Sequence, residues 1–280
     1  MSKKIWSYVI AVYVVCFVFR IWEYFGLRTD QTIIGEAFVH KMIGIIIIIM
    51  VIAMKRLHYS FGDIGVRKEG LLKYTVYGLL FGTSVFAIGY ATEIVLCMVR
   101  GNFSSISFYV SSYAVDKNVT MNQGFVFLLI CIGGNILNVI MEESVFRGLF
   151  QKIFRNRYSF VTAAVISSVM FGFWHIIGPI RNYIDGVCSL NGMIANIVML
   201  FTTSGLIGFK FAMLSKLEGA LYMGMADHFV NNTIVNLLHV TTTSGMDELM
   251  FMRITVAQTI SFIIVLFIFI KKSKEEKERA

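Results

Sequence analysis

Residues 123–151 read QGFVFLLICIGGNILNVIMEESVFRGLFQ, and this stretch decides the fold. It is a long apolar run, and about 20 mainly apolar residues suffice to cross a bilayer. Within it stand two adjacent carboxylates, Glu142 and Glu143, and the guanidinium of Arg147. Ionised groups at membrane depth cost about 2.5–3.5 kcal/mol each on insertion scales. A chain that places three together needs partners for them, and such residues mark a functional site by default. The partners on offer are His175, His228 and Asn232, in two other apolar segments.

The rest of the chain has the same character. Of 280 residues, 57% are hydrophobic and only 15% are charged, with a single proline. Soluble domains carry about 25% charged residues. The mean hydropathy is +0.73. Eight apolar segments of spanning length are expected, at roughly 5–27, 33–54, 72–98, 123–151, 158–178, 190–214, 218–241 and 250–270. The expected fold is therefore all-α: a polytopic membrane helical bundle with about eight transmembrane helices and an intramembrane polar cavity. Residues 1–280 form one membrane domain in this reading, with residues 123–241 as its catalytic core.

The net charge of +8 invites a nucleic-acid reading, but the positions of the cations argue against it. Alternate loops carry them: Lys3 and Lys4, then Lys55, Arg56, Arg67, Lys68 and Lys73, then Lys152, Arg155 and Arg157, then Lys210 and Lys216, then the tail from Lys271. The other loops hold only Arg28, Arg100, Lys117, Arg181 and Arg253. This bias reports orientation and places both termini in the cytoplasm of a multi-pass cell-membrane protein. The partners implied are the lipid bilayer and a membrane-anchored peptide or protein, with no nucleic acid.

The four cysteines lack C-x-x-C spacing, which argues against a zinc–thiolate site. Cys16 and Cys131 read as packing residues. Cys97 and Cys188 both fall near the predicted outer face, where a disulfide is open to them. The Ser-rich stretch 99–122 is expected to be an outer loop with a short interfacial segment.

Glu143 and Arg147 are four residues apart, so they share a helix face and can pair. Glu142 lies about 100° around the helix and needs a partner of its own. His175 is expected near the end of the fifth helix, terminated by Gly178 and Pro179. His228 and Asn232 share one face of the seventh helix, with Asp227 and Asn231 one step around. A carboxylate in a partly desolvated cavity can act as general base toward water, and an imidazole can share that proton. An imidazole N–H and an asparagine amide can donate to a developing oxyanion. Ser144 shows no activating neighbour. The competing reading is a non-catalytic membrane partner, an immunity factor or a regulator of a sensor kinase or exporter, whose polar cluster is structural or a contact site.

The ordered motifs Glu142-Glu143…Arg147, Phe171…His175 and His228…Asn232 resemble the CPBP family of intramembrane endopeptidases. This CAAX protease and bacteriocin-processing family includes Rce1-type and Abi members. The resemblance covers roughly residues 123–240. It implies a helical bundle with a cavity open to the cytoplasm. It assigns Glu142 and His175 to water activation, His228 and Asn232 to the oxyanion, and Glu143 and Arg147 to support. Its substrates would be membrane-associated peptides or precursors, and some members are named for bacteriocin immunity. One Glu and two His could also form an open zinc site, with Glu142, His175 and His228 as ligands. The H-E-x-x-H pattern is absent, and the expectation is a site without a metal or other cofactor.

Overall fold

A computed structural model describes residues 2–28, 44–111, 121–122 and 124–278. Six helices among them are long and apolar enough to cross a membrane: Trp6–Gly26, Leu71–Val99, Phe125–Arg155, Phe160–Ile184, Leu190–Glu218 and Met250–Glu276. The chain is an all-α multi-pass membrane bundle, as its hydropathy requires. Its polarity is reversed relative to a soluble protein. Leu72, Leu80, Val99 and Phe267 are exposed, while Glu93, Glu142, Glu143, Lys210, Asp227 and Arg253 are buried. Aliphatic side chains face lipid, and charged ones turn inward to find partners.

The first helix, α1, spans Ser2–Trp22 and ends in a π-turn, Glu23–Leu27. Helix α2, Ile45–Arg56, is what the structure describes of the expected second span; residues 33–43 of that span lie outside the described residues. Helix α3 covers Leu71–Val99. Strands β1 (Phe103–Phe108), β2 (Val110–Ser111) and β3 (Met121–Asn122) follow. Helix α4, Phe125–Glu143, runs through a π-helical stretch, Ser144–Phe150, into α5, Gln151–Arg155. Next come α6 (Phe160–Trp174), α7 (Ile177–Ile184), α8 (Leu190–Glu218) and α9 (Tyr222–Leu237). Strand β4 (Leu238–Thr242) and helix α10 (Met250–Glu278) close the chain.

Several expectations are corrected. The seventh expected span is α9, a helix of 16 residues that gives way to β4. At 1.5 Å per residue it is about 24 Å long, shorter than the hydrocarbon core of about 30 Å. β4 pairs antiparallel with β1, so the 99–122 region, expected as an outer loop with a short interfacial segment, contributes strands, with 112–120 outside the described residues. Pro179 does not end a helix. α6 stops at Trp174, His175 turns the chain, and Pro179 sits in the first turn of α7, where a missing N–H costs nothing. Lys210, counted as a loop cation, is fully buried within α8; Arg181 and Arg253 are likewise buried in helices. All four cysteines are free thiols, and Cys97 is buried, so Cys97 and Cys188 are not paired.

Local sequence explains the breaks. Ser159 caps α6 by accepting from Thr162 N at 3.2 Å, and Ser189 caps α8 by accepting from Gly192 N at 3.2 Å. Gly219, at φ +69°, ends α8 in the left-handed conformation that glycine adopts without strain. Along α3, Gly82 and Gly89 let the backbone press against α9 and α10. A Cβ at Gly82 would lie 2.9 Å from Val230 Cβ, and one at Gly89 would lie 2.5 Å from Arg253 O. Small residues at such crossings let helices meet closely where no hydrophobic effect drives them together.

Candidate active site

The carboxylate pair sits where α4 passes into its π-helical stretch, a local widening often found at functional sites. The adjacent carboxylates go to different places. Glu142 lines a cavity of about 730 Å³, together with His175, His228 and Asn232. Glu143, 1% exposed, and Arg147 are packed behind it.

Behind the cavity, Arg147 Nη1 lies 3.2 Å from Glu143 Oε1, close enough for an ion pair but not aligned as a hydrogen bond. Its Nε donates to Gly208 O at 3.2 Å, and its guanidinium lies 3.9 Å from the centre of the Phe171 ring. Gly208 leaves the room for this: a Cβ there would overlap Arg147 Nη2. Glu143 Oε1 also lies 2.9 Å from His228 Nδ1. An ionised carboxylate can only accept, so Nδ1 carries the proton. The imidazole stacks on Phe211 at 4.9 Å and meets the edge of Phe171 at 6.0 Å. Its other nitrogen, Nε2, faces Glu142 Oε2 at 3.6 Å, too long for a hydrogen bond. His228 therefore stands between the two carboxylates, held by one and turned toward the other.

On the other side, Glu142 Oε1 accepts from the Trp174 indole N–H at 3.0 Å. His175 Nδ1 donates to Phe171 O at 2.8 Å, since a carbonyl can only accept. The neutral ring then keeps its Nε2 lone pair free to take a proton. Counted from sequence alone, His175 lies about two turns deeper than Glu142. The described helices remove most of that gap, because the α4–α5 rod runs on to Arg155 and α6 starts only at Phe160. The two residues are thus similarly far from the shared end, and Trp174 bridges them.

Asn232, one turn beyond His228 on α9, accepts on Oδ1 from Asn231 Nδ2 at 2.9 Å. Its own amide N–H groups remain for the cavity it lines. Ser144 is buried and is not part of the cavity's described lining. Among the described residues, no three His, Cys, Asp or Glu side chains converge in an arrangement that could hold a metal ion.

All six residues expected at the site are thus brought together, four on the cavity and two behind it. Residues 124–234 match the family model of type II CAAX prenyl endopeptidases, Rce1-like. The matched region contains all six residues. No curated protein matches the chain.

One contributor in the matched region was not anticipated, and a second was expected only as a motif position. Trp174 is the hydrogen-bond partner that Glu142 lacks in its own helix. The signal for it was an indole beside His175, since a buried tryptophan N–H seeks an acceptor. Phe171 touches three parts of the site. Its carbonyl fixes the His175 tautomer, its face carries Arg147 and its edge meets His228.

Proposed function

We propose that the chain is an intramembrane endopeptidase that hydrolyses a peptide bond of a membrane-associated peptide or precursor with water activated by Glu142. The observation that carries this reading is the division of the carboxylates. Glu142 opens on the cavity beside His175, while Glu143 is held behind it by Arg147 and His228. Glu142, with His175 Nε2, takes a proton from water as its oxygen attacks the carbonyl carbon. His228, as the imidazolium, keeps Nδ1–H on Glu143 and offers Nε2–H to the developing oxyanion, beside the Asn232 amide. As the C–N bond breaks, the proton held by Glu142 or His175 passes to the leaving amine. Glu143 and Arg147 fix the orientation of His228. The termini lie on the cytoplasmic side, because Lys55, Arg56, Lys152, Arg155 and Lys271 cluster at one end of the spans.

The test uses purified protein in detergent with quenched fluorogenic peptides, both prenylated CAAX sequences and unmodified membrane-anchored precursors. Glu142→Gln, His175→Ala and His228→Ala should each abolish cleavage while the protein stays monodisperse. Full activity in Glu142→Gln would overturn the mechanism. A cellular phenotype that survives all three substitutions would instead indicate a non-catalytic partner, such as an immunity factor.

A further inference from the structure

Lys210, on α8, is fully buried and surrounded by three oxygens: Asp227 Oδ2 at 2.7 Å, Gln258 Oε1 at 2.8 Å and Ser261 Oγ at 2.8 Å. Gln258 and Ser261 accept hydrogen bonds from the ammonium, and Asp227 pairs with its charge without an aligned hydrogen bond; an ammonium accepts nothing. This settles the direction of the hydrogen bonds that lead away from it. Gln258 must turn its oxygen to Lys210, so its Nε2 donates to Asn231 Oδ1 at 2.9 Å. Asn231 must then present its own nitrogen to the next group, and its Nδ2 donates to Asn232 Oδ1 at 2.9 Å. Asn232, with its oxygen occupied, turns its N–H groups to the cavity.

Amide oxygen and nitrogen differ little in shape, so an isolated asparagine can face a cavity with either end. Here the choice is made three hydrogen bonds away, by a cation that can only donate. We propose that Lys210, Gln258 and Asn231 form a directional relay whose task is to hold Asn232 as a hydrogen-bond donor to the oxyanion of the substrate. These are positioning residues that act through Asn232, and the inference rests on the oxyanion role proposed for it. Gln258 lies outside the region matched by the Rce1-like family, so the device extends the site into α10.

The relay makes a prediction that simple packing does not. Gln258→Glu keeps size and the contact with Lys210, but it turns an accepting oxygen toward Asn231. Asn231 must then donate to that oxygen and present Oδ1 to Asn232, which flips and points its own oxygen at the cavity. Gln258→Leu merely releases Asn231. Loss of one oxyanion donor costs about 10²–10³ in kcat. Gln258→Glu should therefore lower kcat about 10²-fold with KM little changed, and Gln258→Leu should lower it far less. Asn231→Asp reverses the relay beyond Gln258 without altering the acceptors of Lys210, and should reproduce the Gln258→Glu loss if that variant does not fold.

The substrate is the fluorogenic peptide cleaved best by the unaltered protein in detergent. Asn232→Ala separates the two ideas. If Asn232→Ala leaves kcat unchanged, the oxyanion reading fails. If it lowers kcat but Gln258→Glu and Asn231→Asp fall no further than Gln258→Leu, the relay alone is overturned. In an Asn232→Ala background the relay substitutions should have no further effect on kcat, and an additional loss there would also overturn the relay.

Discussion

Arg147 offers the most direct test of how the buried charges are held. Arg147→Met removes the guanidinium and leaves Glu143 buried at 1% exposure. Breaking one partner of a buried ion pair costs about 3–5 kcal/mol. Two features place the cost near the lower end. Glu143 keeps a donor in His228 Nδ1 at 2.9 Å, and neither Nη group makes an aligned hydrogen bond that would be lost. Against this, contact with the Phe171 face at 3.9 Å is worth about 2 kcal/mol for a desolvated cation, of which a methionine sulfur recovers a part. The net expectation is about 3 kcal/mol. Most of it is the penalty of an uncompensated charge, so Glu143→Gln in the same chain should relieve it. The double variant should be more stable than the sum of the single costs by about 2 kcal/mol, within the range of contacting residues. The assay is reversible unfolding by SDS in mixed micelles, followed by tryptophan fluorescence. Strictly additive costs, or a single-variant cost below about 1 kcal/mol, would refute the reasoning that Glu143 and Arg147 are held as mutually compensating charges.

Three other outcomes are expected. Trp174→Phe removes the donor to Glu142, a bond to a charged group worth about 1.5–3 kcal/mol, and should lower kcat at least tenfold with the fold retained; unchanged kcat would count against a role for that bond. Cleavage should persist in excess chelator, whereas a loss reversed only by zinc would make Glu142, His175 and His228 ligands. Asp185 accepts from both Nη groups of Arg28 at 3.0 Å and from Arg181 Nε at 3.1 Å, and Arg28 leads in holding its carboxyl below the usual range. A lowered folded pKa contributes stability above the unfolded value of about 3.9 and loses it as pH falls through the folded one. The Tm gap between the unaltered protein and Asp185→Asn should therefore close below about pH 4.

What the sequence disclosed was what repeats or pairs locally. Glu143 and Arg147, and His228 and Asn232, are four residues apart, and helical geometry alone puts each pair on one face. Hydropathy showed that these faces had to turn inward. The parts that stayed hidden depend on distant partners. Lys210 read as a loop cation because its partners are Asp227, Gln258 and Ser261, from two other helices. Arg253 read the same way, although it pairs with Glu93 at 2.9 Å and Asp247 at 2.7 Å. Counting cations by loop assumes that every cation near a predicted helix end is wet, and these two are not. The π-helical stretch has no local signature either, since Ser144-Val145-Phe146-Arg147-Gly148-Leu149-Phe150 is compatible with an ordinary helix. Strand β4 was missed as well, because 218–241 read as one span, although Val240, Thr241 and Thr242 form a β-branched run at the end of α9.

The buried charges explain why two carboxylates are needed where one could be the base. A single Glu142 facing a lone imidazole would leave the tautomer of His228 unspecified, and Nε2 could face the cavity with or without its proton. Glu143 fixes Nδ1 as a protonated nitrogen by accepting from it at 2.9 Å, so that Nε2 donates to the cavity when the ring is the imidazolium, but it adds a second buried negative charge. Arg147 offsets that charge, and the guanidinium in turn requires the missing side chain of Gly208 and the ring face of Phe171. Lys210 works in the same way on the other side of α9: it sets the direction of the amides, and Asp227 offsets its charge. In both places a buried ion dictates which atom of a neighbouring polar group is turned to the cavity. On this reading Glu142, of the two adjacent carboxylates, is the one that faces the cavity without an ion pair at hydrogen-bond distance, which is the condition for it to exchange a proton with water.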